Sequence, residues 1–196
     1  MNHLHLILML VVLALAGCFM PESNHVEPNF YLLSNTLQDQ NQSKINQDHS
    51  FYLREIELPR YLKDSRLVVR PTPHTIKFRD VDRWGEPLED GIARVLAMNL
   101  QDQFNDSRYS IFPNRRKEGL RWDLAVSFSS FERIANNRVS IAAKWTARGN
   151  DRKDISGSFS LEYVLTLPGD ESDELKAYNL ALYSLSKNIL EELSTN

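Results

Sequence analysis

The sequence predicts a single α/β domain, a mixed sheet that ends in an antiparallel meander, with two main helices packed on it. Three observations carry that expectation. Apolar and polar side chains alternate with period two along residues 120–129, 138–148 and 159–167. Apolar residues recur at steps of three or four over 88–104 and again over 175–193, as on one face of a helix. A short β-rich run at 109–112 follows the first helix, so pairing it with a strand that precedes the helix makes the connection a crossover and the pairing parallel.

The first segment, residues 1–17, contains no Asp, Glu, Lys or Arg, and its apolar run from Leu6 to Ala16 is too short for a membrane-spanning helix. It reads as a secretory signal peptide. The run ends in Leu15-Ala16-Gly17-Cys18, which resembles the bacterial lipobox, where small residues admit a signal peptidase to the bond before an acylated cysteine. Cys18 is the only cysteine, so once it is acylated no thiol is left for a disulfide, a nucleophile or a metal. Two or three acyl chains hold a protein firmly on a membrane where one is marginal. In the enterobacterial sorting rule an aspartate after the lipidated cysteine retains a lipoprotein in the inner membrane, and here Phe19 stands there, which favours the outer membrane. Residues 18–28 are then a lipidated tether and residues 29–196 the periplasmic domain.

Within that domain, Asn29 to Ser34 reads as a short buried strand, and the Gln- and Asn-rich stretch 35–48 as a solvated loop. Phe51 to Leu58 reads as a strand stopped by Pro59, Arg66 to Arg70 as another ended by Pro71 and Pro73, and Ile76 to Phe78 as a third, short one. Asp80, Asp82 and Glu86 could be paired general acids, but Arg79 and Arg83 are interleaved with them, so surface ion pairs that fix a loop are the better reading. Trp84 reads as packing over the start of the following helix, with an exposed interface anchor as the alternative.

Pro87 suits the first helical position, and Glu89 and Asp90 place negative charge at the positive end of the helix dipole. Leu88, Ile92, Val95, Leu96, Asn99 and Phe104 share one face, and Gly91 inside the helix points to close packing. The three alternating stretches form the meander, with turns at Asn136-Asn137 and 148–153. Its polar face, with Arg121, Arg138, Lys144 and Arg148, reads as solvated rather than as a surface for acidic partners or lipid headgroups. The final helix, Ser172 to Leu193, lays Leu175, Tyr178, Leu182, Leu185, Ile189 and Leu193 along the apolar face of the sheet.

Of 196 residues 42% are hydrophobic and 25% charged, with a net charge of −3, values that describe a globular chain and offer no field to attract a nucleic acid. No G-x-S-x-G is present, and His25, His49 and His74 are scattered among loops, so neither catalysis nor metal binding is expected. With seven glycines and no glycine-rich phosphate loop, no nucleotide or other cofactor is expected either.

Cys18, Tyr31-Leu32-Leu33, the run Ile56 to Leu62, and above all Asp82-Arg83-Trp84-Gly85-Glu86-Pro87-Leu88-Glu89-Asp90-Gly91-Ile92-Ala93-Arg94-Val95-Leu96 with Asn99-Leu100 resemble the PqiC/YmbA family of ABC-type transport auxiliary lipoproteins. The resemblance covers nearly the whole chain after Cys18, in order. It implies a non-enzymatic, oligomeric lipoprotein on the inner leaflet of the outer membrane, which docks a periplasm-spanning protein of MCE domains and so supports lipid transport and envelope integrity. It carries no catalytic residue over to this chain. Arg83, Trp84, Glu86 and Pro87 transfer as a motif with a structural role first, Arg83 pairing Glu86 to fix the start of the helix and Pro87 beginning it. A stand-alone lipid carrier with an apolar cavity is the rival reading.

Overall fold

In a computed structural model the described residues are 26–35, 50–103, 108–135, 137–149, 153–167 and 169–195, together with His3. Cys18 lies outside them, as do the signal segment but for His3, most of the tether, residues 36–48 of the Gln- and Asn-rich stretch, and Phe104. Among the described residues eight strands in a mixed sheet and two main helices form one α/β unit. The strands are β1 (Asn29–Tyr31), β2 (Phe51–Leu53), β3 (Arg66–Thr72), β4 (Thr75–Trp84), β5 (Tyr109–Ile111), β6 (Trp122–Ile134), β7 (Arg138–Gly149) and β8 (Ile155–Val164). The helices are α1 (Leu88–Gln103) and α2 (Glu171–Thr195).

The meander β6-β7-β8 is the framework. β6 and β7 pair antiparallel along nearly their whole lengths, and β7 and β8 do the same. The other edge of β6 takes three partners in succession, all parallel to it: β2 at Trp122 to Leu124, a single bridge from Glu57 to Ser127, and β3 at Arg133 and Ile134. β5 pairs parallel with β2, as the crossover argument requires, and β1 pairs parallel with β4. β1 therefore lies at one edge of the sheet and β8 at the opposite one.

One face of the meander is apolar throughout. Trp122, Leu124, Val126, Phe128 and Phe131 of β6 and Val139, Ile141, Ala143, Trp145 and Ala147 of β7 are buried in one continuous cluster with the inner faces of α1 and α2. A bulge at Phe128–Ser130 shifts the alternation, so that Phe131 rejoins the buried face. α2 buries Tyr178, Leu182, Leu185, Ile189 and Leu193 as its spacing predicts, while Leu175 is only half-buried and its neighbour Glu174 is buried. Pro87 stands just before α1 and not in its first position: its carbonyl accepts from the amides of Asp90 and Gly91, the opening bonds of the helix.

Four expectations need correction. The segment from Asn29 is an edge strand, with Phe30 and Leu32 exposed and only Tyr31 and Leu33 directed inward. The strand expected over 51–58 stops at Leu53 and resumes only as the bridge at Glu57. β3 runs through Pro71, because the proline falls where the ladder with β4 is already irregular, between Val69 and Thr72, so the lost donor breaks no regular pairing. β4 reaches Trp84 and takes in Arg79 to Arg83, the residues expected to form a loop. While β3 advances two residues, from Val68 to Arg66, β4 advances five, from Phe78 to Arg83, so Arg79 to Asp82 form a bulge. A bulge re-aims side chains, and Arg79 and Asp82, which look like part of a loop in sequence, are here turned toward the interior, Arg79 to meet Glu174 of α2.

Candidate functional site

The residues from Asp82 to Arg94 form a seat for the N-terminal segment 29–34. Asn29, Phe30 and Tyr31 stand in register with Asp82, Arg83 and Trp84. The Gly85 amide donates to the Tyr31 carbonyl at 2.8 Å, and Leu32 lies so close over Gly85 that an added Cβ would come within 3.2 Å of its Cδ2. Arg94 Nη2 donates to the Leu33 carbonyl at 2.9 Å and to Glu86 Oε1 at 2.5 Å. Asn179 of α2 closes the segment by accepting from the Ser34 amide at 3.0 Å and donating to its hydroxyl at 3.2 Å.

Each motif residue now has a position. Trp84 is 7% exposed. Its ring stands edge-on to Tyr178 at 5.8 Å and tilted against Phe131 at 6.4 Å, while Phe131 and Tyr178 stack at 4.7 Å, so Trp84 is packing and not an exposed anchor. Pro87 stands just before α1. Glu86 pairs with Arg94, not with Arg83. The reason is direction: Glu86 follows the turn at Gly85 and folds back over the first turn of α1, where a Cβ on Gly91 would stand only 3.0 Å from Oε1. Arg83, still in the sheet, faces the other side beside Phe30 and Arg66, and its buried Nε has no hydrogen-bond partner.

Beneath the seat is a cluster of buried ions that includes Arg79 and Asp82, two residues expected to form surface ion pairs. Glu174, whose side chain is 1% exposed, is ion-paired to Arg79, lies 3.7 Å from Arg133 and accepts from the Tyr178 hydroxyl at 3.1 Å. Arg79 also reaches Asp82 at 3.4 Å and Glu171 at 3.9 Å. Asp82 in turn accepts from Asn29 and from the Tyr31 hydroxyl, both at 3.3 Å. Burial, reinforced by Glu174, pushes the Tyr178 hydroxyl well above the usual tyrosine range, and burial with the Asp82 charge raises that of Tyr31, so both stay protonated donors. Burial works against the charge on Arg79, but the Glu174 carboxylate outweighs it and raises the guanidinium's pKa. One signal in the sequence pointed here: Glu174 stands four residues before Tyr178, on the apolar stripe of α2, where a charge must find a partner.

A second buried carboxylate, Glu132 of β6, accepts from Arg70 at 2.7 Å, from the Tyr61 hydroxyl at 3.1 Å and from the Phe131 amide at 2.8 Å. These groups are engaged with one another, an arrangement that locks strands and helix together. Among the described residues no three His, Cys, Asp or Glu side chains converge as a metal site. A surface depression of about 320 Å³ beside β5 is lined by Arg108, Tyr109, Lys117, Glu118 and Leu120, a mixed and largely charged set unlike an acyl-chain cavity.

Comparisons with known proteins agree with this architecture. A family described as "ABC-type transport auxiliary lipoprotein component" matches residues 31–190. No curated protein matches the sequence. Among solved structures, an uncharacterised protein shares the fold with a TM-score of 0.71 at 17% identity, over 86% of this chain and 99% of its own. A Xanthomonas campestris protein of the DUF330 family does so with a TM-score of 0.62 at 15% identity, over 83% of this chain and 90% of its own. At such identities these two likenesses speak to the fold.

Proposed function

The chain belongs to the family of ABC-type transport auxiliary lipoprotein components, and from that premise we propose that it is an outer-membrane lipoprotein subunit of an MCE-type lipid transport system. In this reading Cys18 carries the acyl chains, and the domain faces the periplasm and docks the end of a periplasm-spanning MCE protein, several copies acting together. It binds and scaffolds without catalysing. The observation that carries the reading is the family match, which spans nearly the whole described fold from β1 into α2. The interior supports it too, since the space between sheet and helices is occupied by one apolar cluster, as a docking scaffold needs and an acyl-chain carrier does not. No described helix is long and apolar enough to cross a membrane, which fits attachment through a lipid.

In-cell crosslinking of the tagged full-length chain, followed by membrane fractionation and identification of the crosslinked bands, tests this. An MCE-domain protein captured from the outer-membrane fraction is the expected result. Recovery of the lipoprotein alone, or only with unrelated envelope proteins, counts against docking, and co-purified lipid in that case shifts the assignment to a stand-alone carrier.

A further inference from the structure

Three apolar side chains stand in water at the N-terminal end of the described fold: Val26 at 66% exposure, Phe30 at 65% and Leu32 at 55%. They are not scattered. Phe30 and Leu32 share one parity, and the opposite parity, in β1 and just after it, is spent inward, Tyr31 on Asp82 and Leu33 in the core. The seat described above fixes this display. Tyr31 and Gly85 are hydrogen-bonded, Leu32 rests on Gly85, and the buried Asp82 holds Tyr31, so Phe30 and Leu32 cannot turn inward without breaking the seat. Among the described residues the other large exposed apolar side chains are Met98 on α1, Phe112 just after β5, and Val164 and Leu167 at β8 and just after it, on the far edge of the sheet.

The position along the chain says what covers this patch. Val26 is eight residues from Cys18. Eight residues span at most roughly 29 Å when fully extended and about 16 Å as a flexible chain. A bilayer that holds acyl chains at Cys18 is therefore within reach at all times, whereas any other apolar partner must be met by diffusion.

We propose that Val26, Phe30 and Leu32 form a second membrane contact, a patch that seats against the lipid bilayer carrying the anchor and so fixes the orientation of the domain on it. The proposal rests on acylation at Cys18. One acyl attachment leaves a domain free to swivel on its tether, while an apolar patch buried at the headgroup boundary adds a second fixed point. The β1 edge then faces lipid, and the opposite β8 edge is turned into the periplasm.

The test uses the full-length acylated chain in vesicles of phosphatidylethanolamine with phosphatidylglycerol. Cys18 is the only native cysteine and its thiol is consumed by acylation, so Phe30→Cys, Leu32→Cys and, as a control at the other edge, Ser158→Cys each accept a single environment-sensitive fluorophore. The expected result is blue-shifted emission at positions 30 and 32, quenched by doxyl-labelled lipids, and unshifted, unquenched emission at 158. Water-like emission at 30 and 32 in a chain whose mass shows acylation overturns the contact alone. A blue shift that doxyl lipids do not quench means that protein, a second copy or another partner, covers the patch, and this also overturns it. A mass that shows Cys18 unmodified removes the anchor and with it this contact.

Discussion

Glu174 of α2 and Arg79 of β4 form an ion pair across 95 positions of sequence, with the glutamate sealed from water and the arginine nearly so. That pair joins the final helix to the bulge of the strand that seats the N-terminal segment. Arg79→Ala leaves the Glu174 charge buried with only the more distant Arg133 beside it, so the expected loss is about 3 kcal/mol of stability. Denaturant unfolding measures it. Replacing both residues with apolar ones of similar size should restore much of the loss, and a single variant as stable as the parent shows that the pair holds nothing.

Gly157 faces Trp145 across the β7–β8 ladder, and a Cβ there would fall 2.6 Å from the indole ring. The ring cannot retreat, since it is buried and its Nε1 donates to Asn188 at 3.2 Å. Gly157→Ala should therefore cost about 1–3 kcal/mol by overpacking. Combining it with Trp145→Phe should cost less than the two changes separately. Strict additivity in thermal melts speaks against contact between them.

Trp84→Ala separates packing from docking. Loss of a buried indole from the Phe131–Tyr178 cluster predicts about 3–5 kcal/mol of destabilisation. Partner capture per folded molecule should be unchanged, because the ring does not reach the surface. A stable variant with weakened capture assigns Trp84 to the interface instead.

Asp64 illustrates a pH dependence with a definite sign. The Arg66 side chain, and after it the Arg66 amide, lower its carboxyl from 3.8 to about 2. A depressed folded-state pKa contributes stability above about pH 4 that is lost as the pH falls toward 2. Asp64 is partly exposed, so the contribution is under about 1 kcal/mol. Asp64→Asn should be less stable than the parent at pH 7 and nearly equal to it at pH 2, and a pH-independent difference assigns the effect to something other than charge.

Cys18→Ser tests the anchor without touching the fold. The variant should lose the acyl mass, keep residues 1–17, and fold with unchanged stability, which mass spectrometry and circular dichroism check together. A variant that is still processed and still acylated removes Cys18 from the proposal.

Much of this protein is legible in its sequence because local periodicity carries it. The three strands of the meander alternate over ten or more residues, and α1 and α2 repeat every three or four, so burying those faces leaves one sensible arrangement. Proline at position 87 and the acidic residues after it mark the start of α1 without any tertiary knowledge. The motif from Asp82 to Leu96 is a contiguous string and points to the family in the same way.

What only the tertiary structure decided is where charges and short edge elements go. Asp82, Arg79 and Arg83 read as a solvated loop because nothing nearby in sequence tells a charged strand that bulges toward a helix from one that faces water. Glu174, the partner of Arg79, is 95 residues beyond it. Glu86 chose Arg94 over Arg83 because the turn at Gly85 reverses the chain, a direction that spacing does not encode. β1 looked buried because its composition is apolar, yet a three-residue strand at an edge has only one covered face, and which face is set by register with Asp82 to Trp84. The sequence by itself determined the periodic framework and the family, since both are local. The partner of each buried charge and the outward turn of Phe30 and Leu32 depend on contacts between distant segments, and only the fold brings those together.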